Sequence, residues 1–139
     1  MAYTDKAYFL ENIKETELNE LLKDKTGMVK DEYLTAKIKV ADDEINSYLR
    51  SRVKTLPIPE ANVPDKIKQC SYDITMYYLH DRIQYQDVPE RVKLKYDDAV
   101  RWLERIAKGT VDLGLMGAED TNTDVDYTAN ESIFNRNVF

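Results

Sequence analysis

Apolar residues recur along this chain with the spacing of α-helices. In the clearest stretch, from Leu34 to Leu49, apolar side chains return every third or fourth residue and charged residues fill the positions between them. This pattern predicts an amphipathic helix of about 20 residues. Asp31 is placed to cap this helix, and we expect it to end near Arg52 or Val53.

Two apolar stripes lie on the segment that follows Pro64, a residue that suits the first turn of a helix. One stripe contains Ile67, Cys70, Ile74 and Tyr78, and the other contains Tyr72, Met76, Leu79 and Ile83. Two stripes predict burial on two sides, because a helix at the protein surface shows only one. We therefore expect a central helix here, with more apolar surface than a small bundle needs.

Cap and stop residues predict three more helices. Thr4 and Thr16 are candidate N-caps for two short helices, and Gly27 is expected to end that region as a C-terminal glycine does. Asp87, followed by valine, proline and glutamate, predicts the start of a last helix that stops at Gly109. The sequence thus predicts an all-α fold, a compact bundle of about five helices, two short and three long.

Charge is distributed unevenly along the chain. The net charge of the 139 residues is −6, from 20 basic and 26 acidic side chains. Residues 110–139 hold six acidic residues and one arginine, and so contribute −5 of that charge. This segment also lacks helical periodicity, and its composition is typical of a chain without a core of its own. We predict a helical domain over residues 1–109 and an extended acidic C-terminal arm over residues 110–139.

Composition argues against several classes of protein. An acidic chain is a poor nucleic-acid binder, because contacts to phosphate dominate that affinity. One cysteine and one histidine exclude an internal disulfide and the common zinc sites within one chain. The uncharged apolar stretches are far shorter than the roughly 20 residues that span a bilayer. The first residues lack the apolar core of a signal peptide, so we expect a soluble cytoplasmic protein without membrane contact.

One acidic stretch matches part of a calcium-binding loop. Asp120, Asn122, Asp124 and Glu131 take the first, third, fifth and twelfth positions of such a loop. The sixth position holds Val125, where the loop needs glycine for its sharp turn, and no pair of helices flanks the segment. A solvated acidic segment is the preferred interpretation and calcium the alternative, so we predict no bound metal and no cofactor.

Catalytic chemistry finds little support in the sequence. His80 is a candidate general base, but no serine or cysteine nucleophile stands at an obvious partner position. Cys70 lies within an apolar stripe, where a buried structural thiol is expected. Asp73 lies among apolar residues, and we expect a structural pairing with a base such as Arg52 or Arg105. We therefore predict that the protein is not an enzyme.

Two other groups of residues have structural interpretations. The acidic run at residues 42–44 is interpreted as a solvated helix face, because adjacent helical residues do not face one site. The tyrosines of the last two helices, among them Tyr72, Tyr77, Tyr78 and Tyr96, are expected to pack in the core and at its rim. Some of them are candidates for a subunit interface, where tyrosine is enriched.

The last eight residues of the arm differ from the rest of it. After an acidic polar stretch the chain continues as Ser-Ile-Phe-Asn-Arg-Asn-Val-Phe over residues 132–139. A polar chain that finishes in a short apolar and aromatic segment suits strand addition or insertion into a partner's groove. The residues predicted to bind a partner are Tyr127, Ile133, Phe134, Arg136, Val138 and Phe139. A frayed terminus is the alternative.

The order of several motifs resembles a known family. The motifs are Glu44-Ile45-x-x-Tyr48-Leu49-x-x-Arg52, Leu56-Pro57, Asp73-Ile74, Tyr78-x-x-Asp81, Tyr96-Asp97-Asp98-Ala99, Trp102-Leu103-x-x-Ile106-Ala107-x-Gly109 and Leu113-Gly114-Leu115. In this order and spacing the chain resembles the Mu-like phage head–tail connector family. With a weaker opening at Tyr3-Thr4, the resemblance covers about four-fifths of the 139 residues.

The resemblance implies a small, non-catalytic helical protein of the phage neck, located in the virion at the head–tail junction. It implies a homo-oligomeric ring, dodecameric as is typical of such connectors, that contacts the portal protein and the next neck or tail-completion protein. A near-neutral helical body suits packing between copies of the chain. It also suits a position beside the DNA channel, where the protein would make no sequence-specific contact with DNA. A free-standing cytoplasmic, prophage-encoded binding module or regulator is the alternative function, and a hydrolase built around His80 is a third.

Overall fold

The computed structural model describes residues 2–83 and 86–113, and in these ranges the chain forms five α-helices. They are α1 (Lys6–Asn12), α2 (Glu15–Leu21), α3 (Asp31–Leu49), α4 (Asp65–Asp81) and α5 (Glu90–Ala107), with a single 3₁₀ turn at Glu60–Asn62. The only β pairing among the described residues is an isolated bridge between Lys23 and Val29. The predicted all-α bundle of two short and three long helices is therefore confirmed.

Helix α4 lies between two hydrophobic clusters. The first cluster joins α4 to α5 and to the C-terminal half of α3, and it contains Ile67, Cys70 and Ile74 of α4, with Tyr78 packed against it. The second joins α4 to α1, α2 and the N-terminal half of α3, and it contains Tyr72 and Leu79, with Met76 and Ile83 packed against it. These are the two predicted stripes, so the prediction of a central helix buried on two sides is confirmed.

The second stripe of α4 is covered within the same chain. Phe9 of α1, Leu18 of α2 and Leu22, which follows α2, are all fully buried in this cluster. Burial of each such side chain stabilises the fold by about 1.5–3 kcal/mol. The expectation that α4 carries more apolar surface than the bundle needs is wrong, because α1 and α2 occupy that surface.

The cap of α1 differs from the predicted one. Asp5 rather than Thr4 is the N-cap, and its Oδ1 accepts a hydrogen bond from the Tyr8 N–H at 2.9 Å. Thr4 is buried, and its hydroxyl lies 2.9 Å from the hydroxyl of Ser71 on α4. Thr4 does not cap α1, because its hydroxyl forms a hydrogen bond with Ser71 in the interior of the bundle instead.

The other predicted helix starts are also shifted. Helix α2 begins at Glu15, one residue before Thr16, and α3 begins at Asp31 itself rather than after it. Helix α5 begins at Glu90, three residues after Asp87. None of these three starts has a side-chain cap, but each has acidic residues in its first turn, where they interact favourably with the helix dipole.

Two predicted helix ends are shifted, and a third is confirmed. Helix α3 ends at Leu49, whose carbonyl oxygen accepts the N–H groups of Arg52 at 2.8 Å and Val53 at 2.9 Å, so the predicted end is about one turn late. Gly27 does not end α2. It lies in the tight loop closed by the β-bridge, with φ of +86°. Gly109 follows α5 with φ of +82°, as predicted.

Candidate functional site

A buried carboxylate joins the N-terminal segment to the helices. Asp42 of α3 is 6% exposed; its Oδ2 accepts the Tyr3 N–H at 2.8 Å and its Oδ1 accepts the Ser71 hydroxyl at 2.7 Å. Burial raises the pKa of Asp42, and these two hydrogen bonds act in the opposite direction. The prediction of a solvated face at residues 42–44 is wrong for Asp42, because it follows buried Ile38 by four residues and shares its face.

The hydroxyl of Tyr3 extends the same junction. It donates to Asn46 Oδ1 at 2.5 Å and accepts the Ile58 N–H at 3.0 Å. Tyr3 is 4% exposed, and burial raises the pKa of its hydroxyl, so the group is a neutral donor and acceptor. One residue therefore connects the N-terminal segment, helix α3 and the segment that follows α3.

An open groove of about 710 Å³ runs along α3 beside this junction. Its lining includes two buried apolar side chains of α3, Leu34 and Ile38, together with Asp31, Asp43 and Pro57. This volume is in the range of sites that bind small molecules or short peptide segments. Sequence reasoning missed the groove, because its second wall is the N-terminal segment, whose position only the fold determines.

A cluster of tyrosines surrounds a second carboxylate of the acidic run. Glu44 accepts the Tyr78 hydroxyl at 2.6 Å and the Tyr96 hydroxyl at 3.1 Å, so it bridges α3, α4 and α5. Tyr77 stacks on Tyr96 with ring centroids 4.3 Å apart. Burial raises the pKa of both Tyr78 and Tyr96, which keeps the two hydroxyls neutral and able to donate. We call Glu44, Tyr77, Tyr78 and Tyr96 the tyrosine cluster; its members are partly exposed.

His80 lies on α4 beside a pocket of about 420 Å³. Glu17 and Glu20 of α2 line this pocket, together with the apolar side chains of Met76 and Ile83. Burial lowers the pKa of His80, which favours the neutral imidazole. No hydroxyl or thiol group is among the described residues that line the pocket.

The predicted pairing of Asp73 with an arginine is wrong. Asp73 accepts a hydrogen bond from the side-chain amide of Gln69 at 3.1 Å, one turn earlier on α4. Arg52 instead donates to the Ala107 carbonyl oxygen at 3.4 Å, and Arg105 forms no ion pair within the described ranges. Burial raises the pKa of Asp73, and the field of nearby lysines acts in the opposite direction.

The remaining predicted site residues lie outside the described ranges. These are the calcium-loop candidates Asp120, Asn122, Asp124 and Glu131 and the partner-binding candidates Tyr127, Ile133, Phe134, Arg136, Val138 and Phe139. The division at residue 110 stays a prediction, because residues 114–139 of the arm lie outside the described ranges. Val111 and Leu113, the last described apolar residues, pack against the first hydrophobic cluster.

Comparison with known protein families matches the chain to the family described as Bacteriophage Mu, Gp36, over residues 3–131. The match begins at Tyr3, the residue that bonds to buried Asp42, and it includes all five helices. The chain belongs to this family. No curated protein matches the chain significantly.

Membership of the Bacteriophage Mu, Gp36 family makes this chain a Mu-like phage protein, and to that extent the resemblance predicted from the sequence is confirmed. The family match includes the acidic part of the arm and ends just before residues 132–139. Within residues 2–83 and 86–113, no helix is long and apolar enough to cross a membrane.

Proposed function

We propose that this Gp36-family protein is a structural connector that joins the phage head to the tail. In this proposal copies of the chain assemble as a ring on the portal protein, dodecameric as the resemblance implies. The ring then contacts the next neck or tail-completion protein at the head–tail junction of the virion. Membership of a bacteriophage family over residues 3–131 is the observation that carries the proposal.

The charge of the helical body supports packing between copies. Residues 1–109 hold 19 basic and 20 acidic side chains, a net charge of −1, so neighbouring copies do not repel each other strongly. The tyrosine cluster offers partly exposed aromatic rings on this near-neutral body, and tyrosine is enriched at protein interfaces. A near-neutral ring also suits a place beside the DNA channel without sequence-specific contacts.

The acidic arm supplies the contact with the next component in this proposal. Residues 110–131 contain six acidic and no basic side chains, which suits docking on a basic surface of the portal or of a neck protein. The predicted contact residues, Tyr127, Ile133, Phe134, Arg136, Val138 and Phe139, add apolar and aromatic side chains for insertion or strand addition.

A non-catalytic role is part of the proposal. Cys70 is 1% exposed, and burial raises the pKa of its thiol to about 12, so it is a poor nucleophile. Among the described residues, the pocket beside His80 is lined by two carboxylates, Glu17 and Glu20, and by no serine, threonine or cysteine that the imidazole could activate. We expect His80→Ala to leave assembly unchanged.

Deletion of residues 128–139 tests the proposal. In a phage that lacks its own copy of the gene, the truncated protein is expected to give filled heads and free tails that do not join. Circular dichroism of the purified variant should show an intact helical body, because the described members of both hydrophobic clusters lie before residue 114. His80→Ala is the matched control and should restore tailed particles. Complete, tailed particles from the truncated protein would contradict the role of the arm.

A further inference from the structure

The groove along α3 has an apolar lining and an acidic rim. Three exposed aspartates and two lysines line its rim, which gives the rim a net charge of −1, and a fourth lining aspartate, Asp42, is buried. The lysines are already paired, since Lys6 contacts Asp31 at 3.2 Å and Lys39 contacts Asp43 at 3.0 Å. The groove is therefore suited to an apolar segment that brings a positive charge.

Only one part of the arm has that chemistry. Residues 110–131 contain six acidic and no basic residues, whereas residues 132–139 contain no acidic residue and the arm's only basic residue, Arg136. The same eight residues contain the apolar side chains Ile133, Phe134, Val138 and Phe139. Charge complementarity therefore selects residues 132–139 from the arm as the segment that fits the groove.

The dimensions of the groove agree with this segment. From Asp31 to Asn46 the groove follows α3 for sixteen residues, about 22 Å at the rise of an α-helix. Eight extended residues span about 25 Å. The 20 residues from Leu113 to residue 132 reach up to about 60 Å when extended, whereas the whole of α3 is about 28 Å long. The chain is therefore long enough to return to its own groove.

We infer that residues 132–139 bind in the α3 groove of the same chain before assembly. Intramolecular binding is favoured over binding to a second copy, because a short tether gives a high effective concentration of the segment near its own groove. The bound segment shields its apolar side chains from water until a partner takes it up. This inference concerns the unassembled chain and does not depend on the portal.

A spin label at residue 137 of the full chain tests the inference. Asn137→Cys introduces a thiol for a nitroxide, while Cys70 stays unlabelled because it is buried and its pKa is raised to about 12. We expect the methyl signals of Leu34 and Ile38 to lose most of their intensity, with recovery when the nitroxide is reduced. Unchanged signals would overturn the inference.

Two further measurements show whether the loss of methyl signal intensity arises within one chain or between copies, and whether it depends on the charge of residue 136. Spin-labelled chains without isotope, mixed with isotope-labelled chains without the nitroxide, should cause no intensity loss. Intensity loss in that mixture would show binding between copies and would overturn intramolecular binding. Arg136→Glu should restore the signals of Leu34 and Ile38, and Arg136→Lys should not. Equal behaviour of the two variants would contradict the role of charge.

A matched pair of variants on α3 tests the location. Thr35 is exposed and lines the groove, whereas its neighbour Ala36 is exposed but does not line it. Thr35→Arg places a large basic side chain in the path of the segment, so the intensity loss should disappear. Ala36→Arg adds the same charge one residue away and should leave the intensity loss intact. Equal effects of the two substitutions would place the segment elsewhere.

Discussion

The hydroxyl of Tyr3 offers the sharpest test of how the N-terminal segment is held. Tyr3→Phe removes one oxygen atom and keeps the ring in place. In the folded protein this oxygen accepts the N–H of Ile58, a residue only 1% exposed, and donates to Asn46. The substitution therefore leaves a buried N–H without a partner, whereas the half-buried amide of Asn46 retains access to water.

The expected loss of stability follows from that unpaired group. A buried donor left without an acceptor costs about 1–3 kcal/mol, so we expect Tyr3→Phe to lower the free energy of unfolding by about 2 kcal/mol. The melting temperature should fall by roughly 6–10 °C for a domain of this size. Urea unfolding, monitored by circular dichroism, measures the change. The slope of the free energy of unfolding against urea concentration should be the same for both proteins.

Tyr8→Phe is the matched control for this measurement. The Tyr8 hydroxyl makes no hydrogen bond to any described residue, although its ring lies 5.9 Å from that of Tyr72. Its removal should change the free energy of unfolding by less than about 0.5 kcal/mol. A change as small as this for Tyr3→Phe would refute the account of the N-terminal junction.

Three other measurements test separate parts of the structure. Leu79→Ala should cost about 2–5 kcal/mol in urea unfolding because Leu79 is fully buried, whereas exposed Leu94→Ala should cost less than about 0.5 kcal/mol. Burial raises the pKa of Asp42 in the folded state, so as the pH falls this carboxylate is protonated in the folded protein before it is protonated in the unfolded chain. The free energy of unfolding of the wild type should therefore rise relative to that of Asp42→Asn as the pH falls through the folded-state pKa. A difference between the two proteins that does not change with pH would contradict this expectation. Cys70 should react with a thiol reagent at pH 8 only after unfolding, and rapid reaction of the folded protein would contradict its burial.

Helix content and the central position of α4 were predictable because both are recorded in local spacing. The two stripes of α4 repeat at helical intervals, so the sequence shows which side chains turn inward on each side of the helix. What covers a stripe is not local information. The cover of the second stripe comes from α1 and α2, and for that reason the expectation of surplus apolar surface is wrong.

The polar contacts were not predictable, because they join residues far apart in the chain. Asp42 bonds to Tyr3 across 39 residues and to Ser71 across 29 residues. Glu44 bonds to Tyr96 across 52 residues. The error at Thr4 has the same origin, since a cap rule considers only local partners and the hydroxyl bonds instead to Ser71, 67 residues away.

Light scattering on the purified chain, with and without the portal protein of its phage, tests the proposal that the protein is a ring-forming connector. We predict a portal complex whose mass corresponds to a ring of this chain, twelve copies on one portal. A chain that stays a monomer or dimer and forms no complex with the portal would contradict the account and favour a free-standing binding module or regulator.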